Sequence, residues 1–315
     1  MMCAIPGLAF LVVVTGCRRA PEEQATPLVI RIAQQQNKLT NIFAKALSKN
    51  LEAHFPAKIR FEYSRSLVSN ARSIEEGDVE LAIIPANVAY IAYAQGWGDL
   101  PRPHKKLRGV AVLNTLPIHL IAREDSGIRK LSDIRGKRVS LGPVGSTTEL
   151  SAEMILEGLR LSPKDISARS IPSDQAVEEL RAGKLDAVFN RGTEQESAVE
   201  EVMEKLVSVP GVKFIPILRS ETESIRSTHP FLRPISIPAG MYGNHSEVET
   251  IGVDSLMVCR DDLSEELVYW ITRSLVESLA GLPRSTALDP EQVHATPIPL
   301  HAGAARYYRE RELFH

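Results

Sequence analysis

Gly77-Asp78-Val79-Glu80-Leu81-Ala82-Ile83-Ile84 and Gly183-Lys184-Leu185-Asp186-Ala187-Val188-Phe189 are two versions of one phrase, a glycine, an acidic residue and then an apolar run. A glycine behind a helical stretch takes the left-handed conformation that ends the helix. A short apolar run without polar alternation is a strand covered on both faces, as in the parallel sheets of α/β proteins. Around the first phrase the pattern gives strands over Leu28–Ala33 and Ala57–Tyr63, a helix over Ile42–His54, and a helix following Ile84 through Tyr90. Around the second it gives a strand within Gly136–Gly142, a helix over Ser146–Leu159, a strand over Ile166–Ile171 and a helix over Ser173–Ala182. Between them stand two strands, Leu107–Leu113 and Ile118–Arg123. The strand Ile251–Val258 and the helix Asp262–Leu279 are expected to return to the first unit. The fold class is therefore α/β with two lobes built alike, lobe 1 over 28–117 plus 250–315 and lobe 2 over 118–249. Such a clamshell places a ligand cleft between its lobes.

Composition narrows the function. With 37 Lys plus Arg against 39 Asp plus Glu, the 315-residue chain has a net charge of -2 and no excess to hold a polyanion. Aromatic residues make up 5%, too few for a stacking platform. Nucleic acid is not an expected partner.

Residues 1–17 carry no charge and centre on the apolar run Gly7–Val14. That run is shorter than the roughly 20 residues of a spanning helix and reads as an export signal. Val14-Thr15-Gly16-Cys17 resembles the bacterial lipobox, which implies a signal peptide over 1–16, lipidation of Cys17 and anchoring to the membrane by that lipid, although the usual positive residues ahead of the run are missing. Residues 17–27, rich in Pro, Glu and Ala, have the composition of a linker. Cys259 then remains as a lone thiol in an apolar run, so a monomer has no disulfide, and Cys259 reads as a small buried hydrophobe rather than a nucleophile.

Several positions can hold a small ligand. Ser146 and Glu149 have the S-x-x-E spacing of a capping box. The first turn behind them, Ser146-Thr147-Thr148, offers backbone N–H groups, hydroxyls and the positive end of the helix dipole, which together suit a carboxylate but also describe an ordinary cap. Asn87 and Tyr90 stand three apart on one helical face, where an amide and a phenol can point into a cleft. Asn190 and Arg191 follow the strand Leu185–Phe189 at a carboxyl end, where α/β folds bind ligands, and an arginine there can pair bidentately with a carboxylate. His119, alone within a strand, reads as structural. The nucleophile elbow G-x-S-x-G, the P-loop, the dinucleotide glycine fingerprint and H-E-x-x-H are absent, and His294 and His301 lack zinc-ligand spacing. No enzyme activity, cofactor or metal is expected, and an enzyme on this fold is the lesser alternative.

Glu80-Leu-Ala-Ile-Ile-Pro-Ala-Asn-Val-Ala-Tyr90, Leu120–Gly127, Leu131–Val139, Gly145–Glu149, Ile237–Tyr242, Ile251–Ser255 and Pro299-Leu-His-Ala-Gly-Ala-Ala-Arg-Tyr-Tyr308 resemble, in their order and spacing, the TAXI family. These are extracytoplasmic solute receptors of tripartite ATP-independent periplasmic (TRAP) transporters. The resemblance implies a type II periplasmic-binding-protein fold, capture of a small organic acid or amino acid, delivery to TRAP-type permease subunits, a location on the outer face of a bacterial membrane, and a monomer. It also implies that the Ser146–Thr148 turn faces the cleft. Two departures stand out. Pro85 and Ala86 replace polar residues ahead of Asn87, and the first loop, Gln34-Gln35-Gln36-Asn37, lacks the family's long Gly/Thr-rich turn. Gln34, Gln36 and Asn37 then supply amides to a different ligand, or the chain has lost the family ligand and serves as a sensory or partner-binding module.

Overall fold

The computed structural model describes residues 28–34, 45, 47–49, 51–55, 57–64, 67–96, 100–192, 198–279 and 292–312. Cys17, Gln36 and Asn37 lie outside them. The strands are β1 Leu28–Gln34, β2 Ala57–Tyr63, β3 Leu81–Pro85, β4 Leu107–Arg123, β5 Arg138–Gly142, β6 Ser167–Ser170, β7 Ala187–Arg191, β8 Val212–Ile215, β9 Arg233–Ile237 and β10 Val248–Arg260. The helices are α1 Leu67–Glu76, α2 Ala86–Gln95, α3 Thr147–Gly158, α4 Ser173–Arg181, α5 Ala198–Val207, α6 Arg219–Thr228, α7 Glu265–Leu279 and α8 Ala302–Glu310.

One sheet runs through the molecule in the order β2-β1-β3-β10-β4-β7-β5-β6, with β8 on β4 and β9 on β10. A parallel trio stands at each end, β2-β1-β3 and β7-β5-β6, and the antiparallel pair β10 and β4 joins them. The two strands expected over 107–123 are one strand of 17 residues. Pro117 lies inside it: it has no N–H to donate, but its carbonyl accepts from Gly192 N (2.6 Å). Ile118 is where β4 passes from β10 to β7, pairing with both Ile251 and Arg191. The lobe boundaries expected at 117/118 and 249/250 fall inside two continuous strands.

The repeated phrase has a physical cause. Gly77 and Gly183 have φ of +85° and +70°, and the acid that follows each ties its strand to the first strand of its trio. Glu80 accepts from the Arg31 backbone N–H (2.8 Å) and from its guanidinium Nε and Nη2. Asp186 accepts from the Arg138 backbone N–H (2.8 Å) and from the same two guanidinium nitrogens. A second arginine closes each set, with Arg260 N donating to Glu80 O (3.1 Å) and Arg123 N to Asp186 O (3.0 Å).

The two faces of the sheet are covered differently. On one face a continuous apolar core runs through both halves and includes Ala89 and Ala92 of α2 and Ala152 and Ile155 of α3. On the other face the buried residues form two cores. Ile30, Ile32, Met257, Ile271 and Tyr308 gather under α7 and α8, while Ile121, Val188, Ala176, Leu180 and Met203 gather under α4 and α5. The C-terminal segment packs on the start of β4: Leu300 bridges to Gly109, and the Tyr308 hydroxyl donates to Val110 O (2.7 Å). Gly303 lets α8 cross α7 closely, since a Cβ there would lie 2.2 Å from Glu265 O. Among the described residues no helix is long and apolar enough to cross a membrane.

Candidate functional site

Helix α2 leaves the fully buried strand β3 without a loop. Pro85 is its N-cap, and no side chain caps the first turn. Asn87 fills part of that gap, its Oδ1 accepting from Val88 N (2.9 Å), while its Nδ2 donates to Ser151 Oγ of α3 (3.0 Å). Ser151 Oγ in turn donates to Thr147 O (2.7 Å). Asn87 and Ser151 are 0% and 1% exposed, so this relay from one lobe to the other is dry. Tyr90, 40% exposed, rests its ring on Phe231 at 4.9 Å between centroids. Asn87 and Tyr90 do share a helical face, but both are engaged with the other lobe instead of pointing free into a cleft.

Helix α3 begins after the turn Gly142-Pro143-Val144-Gly145. Gly142 and Gly145 have φ of +105° and +69°, and a Cβ on Gly142 would meet the Thr148 side chain at 2.9 Å. Ser146 caps the helix, its Oγ accepting from Glu149 N (3.2 Å). The reciprocal arm of the box is displaced by one residue, because Glu149 Oε2 accepts from Gly145 N (2.6 Å) and not from the cap's own N–H. The backbone N–H groups of Thr147 and Thr148 donate to no group among the described residues. Like charge and burial act together on this helix: burial chiefly, with Glu149 beside it, pushes the Glu153 carboxyl above its ordinary value.

Asn190 and Arg191 do not follow β7 but end it, opposite His119 and Ile118. Alternation turns them to opposite faces. Arg191, half-buried, shares the face of Phe189 and α3, whereas Asn190 Nδ2 approaches Met203 Sδ (4.0 Å) on the face of α5. Gln34 closes β1 on the same face as Ile30 and Ile32, fully buried, with neither Oε1 nor Nε2 bonded. The predicted residues therefore form two groups. Asn87, Tyr90, Ser146, Thr147, Thr148 and Arg191 lie on the face with the continuous core, and Gln34 and Asn190 lie on the other. The reason is the strand period of two: neighbours in sequence cannot serve one face.

The sequence reading overlooked Ser151 and Phe231. A serine four residues past Thr147 among Ala152 and Ile155 was the available signal, since a hydroxyl in an apolar stripe needs a partner. Cys259 is fully buried, and burial pushes its thiol well above the ordinary range, which makes it inert. Among the described residues no group of His, Cys, Asp and Glu is placed to hold a metal ion. A groove of about 380 Å³ lies between α6 and strands β9 and β10, lined in part by Arg219, Thr222, Arg226, Pro234 and Glu249, and none of the predicted residues lines it.

Two α/β lobes on one sheet, joined by a pair of antiparallel crossing strands, define a two-domain periplasmic-binding-protein fold. Solved structures of this class align over most of the chain. The periplasmic aliphatic sulphonate binding protein SsuA from Escherichia coli is 16% identical over 90% of this chain and 83% of its own, with a TM-score of 0.55. XAC2383 from Xanthomonas citri, bound to ATP, is 12% identical over 90% and 94%, with a TM-score of 0.53. PhnD1 from Prochlorococcus marinus, in complex with methylphosphonate, is 14% identical over 91% and 97%, with a TM-score of 0.50. At such identities the likeness is one of fold. The model of the NMT1-like family matches residues 39–311, and the chain belongs to that family.

Proposed function

We propose that this chain is an extracytoplasmic solute receptor, anchored through Cys17, that captures a small carboxylate and delivers it to a TRAP-type permease. The observation that carries the ligand class is the start of α3, where the Thr147 and Thr148 backbone N–H groups, at the positive end of a helix dipole, have no acceptor among the described residues. Arg191, on the same face of the sheet, supplies the bidentate partner. Asn87 acts through Ser151, which bonds the Thr147 carbonyl of that turn. Gln34 stands apart from this group on the other face of the sheet, where a buried amide with both atoms unbonded is held at a cost that a ligand or a water offsets. Gln36 and Asn37 of the first loop complete the orienting set, whereas Asn190, turned toward Met203 on the other face, is left out of it. Delivery to a TRAP-type permease and the membrane anchor rest on the sequence resemblances. The sulphonate and methylphosphonate of the related structures are likewise small oxyanions, which fits an anion-selective cleft.

The test is a thermal-shift screen of the refolded, ligand-stripped protein against amino acids, 2-oxoacids, dicarboxylates and sugars. A ligand present at about 100 times its Kd adds about 2.7 kcal/mol, a shift of several degrees. For the carboxylate so found, Thr147→Ala combined with Arg191→Ala is expected to weaken binding at least about tenfold, about 1.4 kcal/mol. Unchanged affinity would discard the site, and no shift across the panel would favour a sensory module that has lost the family ligand.

A further inference from the structure

We infer that the groove between α6 and the strands β9 and β10 is a second ligand site, apart from the start of α3, that takes a small zwitterion of the amino-acid or dipeptide class. Its volume of about 380 Å³ is that of a small-molecule pocket. One wall is a single face of α6, because Arg219, Thr222, Glu223 and Arg226 stand at positions i, i+3, i+4 and i+7. The floor is the sheet face that carries the continuous core. Register pairs Ser236 with Glu249 and Pro234 with Ile251, and Ile251 belongs to that core, so alternation turns Pro234, Ser236 and Glu249 toward α6. Past Ile217 and Ile251, helix and strands therefore face each other chiefly with charges and hydroxyls.

Four of these side chains have bonding capacity that the fold leaves unused. Thr222 is 6% exposed, yet its hydroxyl makes no hydrogen bond among the described residues. The buried hydroxyls of Ser151 and Thr272 do bond, each to the carbonyl four residues earlier at 2.7 Å. An unbonded hydroxyl at that depth is costly, and a ligand in the groove removes the cost. The Ser236 hydroxyl has no partner among the described residues either. Arg219 and Glu223 satisfy each other (3.2 Å), but Arg226 on the wall and Glu249 on the floor form no ion pair, with each other or with any other described residue. Opposite charges that line one groove, neither of them matched, are complementary to a molecule that carries both. Its carboxylate pairs with the Arg226 guanidinium and its ammonium with Glu249, and the hydroxyls of Thr222 and Ser236 meet the polar atoms between. A simple anion would face Glu249 and a simple cation Arg226, so each is disfavoured. Among the described residues β9 pairs with β10 alone, which leaves the groove open along the edge of the sheet. The site shares no residue with the start of α3 and stands whether or not the receptor reading holds.

Amide chemical shifts of the ¹⁵N-labelled full chain, titrated with glycylglycine, test this. Saturable shifts are expected at 217–226, 235–236 and 249–250. N-acetyl-glycylglycine, which lacks the ammonium, and glycylglycine amide, which lacks the carboxylate, are expected to bind at least about tenfold more weakly. Arg226→Ala and Glu249→Gln should each raise the Kd for glycylglycine at least about tenfold. Both residues are exposed, so the rest of the spectrum stays in place and reports an intact fold. Equal binding of the blocked peptides, an unchanged Kd in either variant, or no saturable shift at about 10 mM would overturn the inference. Shifts confined to the turn and first residues of α3, 143–149, would overturn it too while supporting the receptor reading, so the two readings fail separately.

Discussion

The imidazole of His119 stands nearly perpendicular to the rings of Phe214 and Tyr242, at centroid distances of 5.4 and 5.2 Å, with no bond to either nitrogen. Burial pushes its pKa down to about 3. The folded value lies below the roughly 6.5 of an unfolded chain, so the unfolded state takes up a proton first on acidification. The contribution of neutral His119 is whole above about pH 6.5 and is lost as pH falls toward 3, by about 2 kcal/mol at pH 5. In His119→Phe, which cannot titrate, urea unfolding at pH 7 and pH 5 is expected to differ by that much less than in the wild-type chain. Parallel pH profiles would refute the assignment. Gly192 is bound to the same spot, since a Cβ would lie 2.3 Å from Pro117 Cγ and 2.7 Å from His119 Nε2. The structural role of His119 was legible from its place in an apolar strand. Its orphaned state was not, because Phe214 and Tyr242 reach it from other strands and loops.

Helices α2 and α3 show how far local sequence reaches. The start of α3 was readable because Ser146 and Glu149 act within one turn. The Asn87 to Ser151 bond was not, since its partners stand 64 positions apart and in different lobes. Ser151→Ala leaves the Asn87 Nδ2 buried without an acceptor, and a loss of about 1 to 3 kcal/mol in denaturant unfolding is expected. Adding Asn87→Ala should cost less than the sum of the two single changes, because the bond is lost only once. Gly158→Ala drives a methyl against Ile225 and should cost about 1 to 3 kcal/mol by overpacking. Asn190 and Arg191 teach the same lesson at a strand end: the residue types suited a ligand, but β7 continues through both and divides them between two faces.

For the whole molecule, both lobes are tied by the same arrangement of charge. Arg138, by its hydrogen bond above all, holds Asp186 below the usual carboxylate range. At Glu80 burial acts to raise the pKa, and the Arg31 bonds outweigh it and leave it lowered. Depressed carboxyl values contribute stability that is present above about pH 4 and is lost as pH falls through the folded values. Thermal melts are therefore expected to drop on acidification through this range, and to drop less steeply in Asp186→Asn; an equally steep fall in that variant would deny the pair its role. The sequence alone determined what depends on near neighbours: the helix ends at Gly77 and Gly183, the buried strands behind them, the cap at Ser146, and hence two α/β units of one design. Only the tertiary structure decided which distant side chains meet. It made β4 a single strand across both lobes, joined Asn87 to Ser151, set Gln34 and Asn190 on the face away from α3, and fused the cores on one face while keeping them apart on the other. Strand register and helix packing set those contacts, and they are fixed only when the whole sheet assembles.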